Sequence, residues 1–138
     1  MEIIKFRIPG KIQPQGRPRA SSRGGHVRLY DPPSSRDYKK HVKQVAKEYA
    51  PEEPLETPLH VRMTFSKQYL KSWTKKQRAN AEDGILLPTT KPDIDNLSKG
   101  IMDALNGVIW KDDSQVVELL LSKIYDDEHY ADVEIITL

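Results

Sequence analysis

The chain has 138 residues, 22 Lys+Arg against 20 Asp+Glu, and no cysteine. That length suits one compact domain, 1–138, with its own core; the lack of cysteine excludes disulfides, thiolate metal sites and cysteine nucleophiles. Charge is unevenly placed, with 19 basic against 9 acidic side chains in residues 1–92 and 3 against 11 in residues 93–138.

This asymmetry points to a basic surface for an anionic partner and a separate acidic site, although solvated charge is the commonest use of such runs. The start, MEIIKFRIPG, has neither the apolar core nor the cleavage pattern of a signal peptide. No stretch is apolar for the ~18 residues that a membrane span needs. The expected setting is therefore cytoplasmic.

In chain order, Ile4, Phe6 and Ile8 alternate with Lys5 and Arg7, which predicts a half-buried strand ended by Pro9-Gly10. Residues 10–33 read as a long loop rich in Pro, Gly, Ser and Arg. From Ile3 to Tyr30 the basic residues Lys5, Arg7, Lys11, Arg17, Arg19, Arg23 and Arg28 occur without an acid. Such loops are often functional. Ser34 or Ser35 can cap a helix over about 36–49, whose apolar face is Tyr38, Val42, Val45, Ala46 and Tyr49. Leu59, Val61, Met63 and Phe65 then mark the clearest strand.

Residues 67–78 repeat the acid-free basic pattern with Lys67, Lys71, Lys75, Lys76 and Arg78. Thr74 can cap a short helix there, anchored by Trp73. Residues 95–106 form the most informative helix, with Leu97, Ile101, Ala104 and Leu105 on one face and Asp95, Lys99 and Asp103 opposite. Asn106-Gly107 stops it. A short strand at 108–110, a turn at 111–114, a strand at 115–125 and a last strand at 131–138, paired as a hairpin, complete the reading. The expected fold is α+β: a small domain with a mixed or antiparallel sheet packed by two to three helices.

Asp93, Asp95, Asp112 and Asp113 are the candidate chemical centre. Asp93 and Asp95 open a helix, where free N–H groups favour negative charge. Asp113 follows about one helix length later, on a connection expected to return toward the same end, so that the acids converge. Such oxygens suit Mg²⁺, which can activate water and offset charge on a phosphodiester. Taken singly, Asp95 also fits a helix cap and Asp112-Asp113 a turn. Lys99 fits either an i,i+4 pair with Asp95 or Asp103 or a phosphate contact. The spacing is not an EF-hand, because Leu97 and Ser98 stand where that loop needs an oxygen ligand and glycine. None of the four histidines has an HxxxH or HxH partner, so zinc is not expected.

The run KPDIDNLSKGIMDALNGVIWKDDSQVVE, residues 91–118, resembles the signature of the RusA family of Holliday junction resolvases: D-x-D-N-L-x-K, then D-A-L, then D-D-x-Q. Asp93, Asp95, Asn96, Leu97 and Lys99 match the first part, Asp103, Ala104 and Leu105 the second, and Asp112, Asp113 and Gln115 the third. The resemblance implies metal-binding catalytic roles for Asp93, Asp95 and Asp113, an essential Lys99, and a secondary role for Asp112. It further implies a bacterial or phage-encoded homodimer that cuts opposed strands of a four-way junction with Mg²⁺ or Mn²⁺. Lys91-Pro92 departs from the arginine-rich approach of some members. Residues 67–90 look longer than in the shortest ones. On charge grounds, Arg17, Arg19, Arg23, Arg28, Lys75, Lys76 and Arg78 are candidate DNA-binding residues. A nuclease for flaps or forks on the same scaffold, and a non-catalytic DNA-binding protein, are the alternatives.

Overall fold

Alternation of apolar and polar residues sets the strands, and i, i+4 apolar repeats set the helices that cover them. A computed structural model describes the chain apart from Arg17, Pro18 and Asp31 and the side chains of Arg19 and Arg23. Its elements in chain order are β1 (Ile3–Pro9), β2 (Arg19–Ser21), β3 (Arg28–Tyr30), α1 (Pro33–Lys47), β4 (Leu59–Gln68), α2 (Lys75–Glu82), α3 (Ile94–Leu105), β5 (Val116–Asp126) and β6 (Tyr130–Thr137). The result is the expected small α+β domain with a mixed sheet.

The main sheet has the order β1-β6-β4-β5. β6 is antiparallel to both β1 and β4, whereas β5 runs parallel to β4. The expected β5–β6 hairpin is therefore wrong: β4 lies between the two strands. Adjacent strands lie about 4.8 Å apart, so the link must cross about 10 Å, which three extended residues can span. Residues 127–129 make that step over the end of β4. There the Ser66 hydroxyl donates to the Glu128 carbonyl at 2.7 Å, and the Gln68 N–H donates to His129 Nδ1 at 3.2 Å.

Phe6 and Ile8 of β1, Val61, Met63 and Phe65 of β4, and Val133 and Ile135 of β6 join one buried core. Val42 and Ala46 of α1 and Leu97, Ile101 and Leu105 of α3 close it from the helical side. Burying each such Leu, Ile or Phe side chain contributes roughly 1.5–3 kcal/mol. Trp110, fully buried, donates its indole N–H to the Asn106 side chain at 2.6 Å. Gly107, at φ +77°, supplies the left-handed turn that ends α3.

Three local expectations change. α1 starts at Pro33 with Pro32 as its cap, earlier than the serines suggested. Proline fits a first turn because its missing N–H would be unpaired there. Ser35 is instead buried: its hydroxyl accepts from the Gly16 N–H at 2.7 Å and donates to the Pro14 carbonyl at 3.4 Å. The loop at 10–33 contains the antiparallel β2–β3 pair. Residues 108–110 form a turn with isolated bridges rather than a strand. Thr74 does cap α2, through reciprocal hydrogen bonds with Gln77.

Candidate active site and nucleic-acid surface

α3 carries the first half of the acid motif. Asp93, not Asp95, is its N-cap, in extended conformation, and its carbonyl accepts the first helical bond from Leu97 N–H at 3.2 Å. The Asp93 carboxylate makes no capping bond. Asp95 lies in the first turn, exposed like Asp93. The Lys91–Pro92 peptide before them is cis.

The approach to α3 is tied to the far end of the sheet. Lys67, at the end of β4, donates to Thr90 Oγ1 at 3.3 Å and to the Lys91 carbonyl at 3.1 Å. Lys123 of β5 donates to the Thr90 carbonyl at 2.7 Å. On the other side, Gln15 N–H donates to the Asn96 carbonyl at 3.0 Å, fixing the loop before β2 against the start of α3.

The second half of the motif begins β5. The Asp112 carboxylate accepts from the Ser114 N–H at 3.3 Å and from the Ser114 hydroxyl. These bonds hold its pKa below the usual carboxylate range. Gln115 returns the cap by accepting from the Asp112 N–H at 2.8 Å, and its amide donates to the Leu55 and Thr57 carbonyls. Asp112 and Gln115 thus shape the turn that presents Asp113.

These two halves do not meet within one chain. Val116, just after Asp113, pairs with Leu59 at the start of β4, whereas Lys123, farther along β5, holds Thr90 near Asp93. Seven strand residues, or the 12-residue length of α3, set a separation on the order of 20 Å. Among the described residues, no three His, Asp, Glu or Cys groups are close enough to hold a metal ion. The expected return of the connection toward the same end is therefore corrected. α3 runs back along the sheet and delivers Asp112-Asp113 to the opposite end.

Partnership separates the acids. Residues 93–138 contain eight aspartates. Asp103 faces Lys39 at 3.6 Å and Lys99 at 3.9 Å; Asp127 faces Arg78; Asp132 accepts two bonds from Arg7. Asp126 accepts from the Tyr130 hydroxyl, and burial together with that bond raises Tyr130 to about 12. Among the described residues, only Asp93, Asp95 and Asp113 of the eight have carboxylates with no hydrogen bond or ion pair. Unpartnered, accessible carboxylate oxygens suit a hard cation, and one or two suffice when water and phosphate complete the shell.

The basic candidates divide in the same way. Arg28, Lys75 and Lys76 are exposed. Arg78 is already engaged, pairing with Glu82 at 3.0 Å and Asp127 at 3.3 Å and stacking 4.2 Å from the Tyr69 ring centre. Arg17 lies outside the described residues, and Arg19 and Arg23 are described in backbone only. Sequence reasoning missed a cleft of about 540 Å³ beside Asp93, lined by Lys11, Gln13, Lys67, Lys91, Asn96 and His129 among others. Burial, with Lys123 and Lys11 nearby, lowers the Lys67 pKa. The hint was Lys67 at the end of a strand and the start of an acid-free basic run.

An α+β domain that presents free aspartates at a helix start, flanked by lysine-lined surface, is built to act on a polyanion. The chain belongs to the RusA endodeoxyribonuclease family, whose model matches residues 9–136. Membership implies endonuclease activity on Holliday junctions. Over 137 residues the chain is 44% identical to the uncharacterised protein YqaN of Bacillus subtilis (strain 168), covering 98% of this chain and 96% of that protein.

Proposed function

We propose that the protein resolves Holliday junctions as a homodimer, cutting opposed strands by metal-dependent hydrolysis. Asp93, Asp95 and Asp113 would hold Mg²⁺, or Mn²⁺ in its place, and Lys99 would contact the scissile phosphate. The metal, when bound, supplies charge neutralisation at the phosphodiester and a more acidic water. The observation that carries this reading is the partnerless state of these three aspartates while their neighbours are engaged.

Their separation within one chain supports the dimer. β5 is an edge strand, and Val117, Leu119 and Leu120 on it are 61%, 42% and 47% exposed. An apolar open edge is a template for pairing with another strand. A two-fold axis near Leu119 would set β5 antiparallel to its copy and bring Asp113 beside the partner's Lys123 end, where Asp93 and Asp95 stand. Each active site would then draw Asp93 and Asp95 from one protomer and Asp113, with Asp112 behind it, from the other. A symmetric pair of such sites matches the two-fold relation of a four-way junction.

Arg19, Arg23 and Arg28 of the β2–β3 segment, Arg17 just before it in sequence, and Lys75 and Lys76 on α2 would supply backbone contacts to the DNA arms. Arg78 would act there only by giving up its acidic partners.

Synthetic junction, flap and duplex DNA, each with and without Mg²⁺, test the reading. Paired cuts in the junction, dependent on Mg²⁺ and faster than any cut in flap or duplex, are expected. Preferred cutting of flaps would favour a different branched-DNA nuclease, and binding without cutting would remove the catalytic role.

A further inference from the structure

The cleft beside Asp93 has three walls from distant parts of the sequence: residues 11–14, Lys67 with His129, and residues 91–96. Its volume, about 540 Å³, lies within the roughly 300–1,000 Å³ range of small-ligand sites. Three lysines, Lys11, Lys67 and Lys91, line it against one carboxylate, Asp93. Among the described residues none of these lysines pairs with an acid, whereas Lys5 and Arg7 of β1 and Arg78 of α2 do. Lys67 is the best fixed of the three. Two of its bonds go to Thr90 Oγ1 and the Lys91 carbonyl. An ammonium has three donors, so one remains for the cleft.

We propose that this cleft is a phosphate subsite, in which Lys67, assisted by Lys11 and Lys91, holds a DNA phosphate next to the one that is cut. The inference rests on the nuclease reading and adds to it a residue that lies outside the acid motif. Lys67 binds and aligns the strand; the chemistry stays with the aspartates. A pre-placed ammonium bonded to the loop that carries Asp93 couples strand position to carboxylate position across a short, stiff link.

The test is a binding cycle. Junction affinity is measured in EDTA over a salt series for the wild-type protein, Lys67→Gln, Lys67→Arg and Lys11→Gln. The series is repeated with junctions carrying one uncharged methylphosphonate at each position near the cut. Lys67→Gln should bind about tenfold more weakly, with a salt slope shallower by about one, and Lys67→Arg should restore most of the loss. At one phosphate, neutralisation should weaken the wild-type protein and leave Lys67→Gln unaffected. Among the described residues Lys11 takes no part in the loop's hydrogen bonds, so Lys11→Gln gives the same cycle without unseating Thr90 and Lys91. Additive losses at every phosphate for both variants would overturn the subsite and leave Lys67 as a support for the loop. A wild-type protein that binds no junction would overturn the nuclease reading itself.

Discussion

Replacing Asp93, Asp95 or Asp113 with Asn removes a charge, keeps the side-chain shape and breaks no bond among the described residues. Each change should lower junction cleavage by about 10²–10³-fold or more with melting temperature and junction binding retained; a variant that cuts at the wild-type rate misassigns its residue. Asp112 should behave differently. Its bonds from Ser114 lower its folded pKa from the ordinary 3.8, so its stabilising effect is present above that value and is lost as pH falls through the lower folded value. Asp112→Ala should therefore flatten the acid limb of the melting curve against pH, and Asp112→Asn, which keeps an acceptor, should cost less stability at neutral pH. For Lys99, the exposed pair with Asp103 accounts for only ~0.3–0.5 kcal/mol, or about 1–3 °C in melting temperature. Lys99→Ala should lower single-turnover cleavage at least tenfold beyond that; normal turnover would leave Lys99 a surface ion pair. The acids and Lys99 were legible because 28 consecutive residues carry them. Lys11, Lys67 and His129 were not, because three segments far apart in sequence meet only in the fold.

At the scale of elements, the strands and the three helices could be read from periodicity, and errors fell where tertiary partners decide. Residues 116–126 and 130–137 look like a hairpin because only three residues separate them, yet β4 offers both strands a better-buried neighbour. α1 starts early because its serine is needed by the loop: Ser35 binds Gly16, and that loop in turn binds α3 through Gln15 and Asn96. This contact yields paired predictions. A Cβ on Gly16 would stand 2.7 Å from Pro32 Cγ and 2.9 Å from Ser35 Oγ, whereas one on Gly100 in α3 would meet nothing nearer than 3.7 Å. Gly16→Ala should lower unfolding free energy by about 1–3 kcal/mol, and Gly100→Ala should raise it by about 0.5–1 kcal/mol. Urea midpoints at constant slope check both; equal effects would show that the loop is not packed against α1 as described.

At the scale of the whole molecule, one chain would hold two half-sites, which the proposed dimer would join. A charge on the open edge should separate the protomers: Leu119→Arg should give a monomer by light scattering, folded but inactive, since this side chain is already 42% exposed. The most direct measurement mixes two inactive proteins, Asp93→Asn and Asp113→Asn, under conditions where subunits exchange, with heterodimers counted by mass. If sites are shared, each heterodimer keeps one intact site built from the Asp113→Asn chain's Asp93 and the Asp93→Asn chain's Asp113. The mixture should then regain roughly a quarter of the wild-type sites and convert a cruciform plasmid mainly to nicked circles. Heterodimers that form and still leave the plasmid uncut would contradict the shared site and return all three aspartates to a single chain.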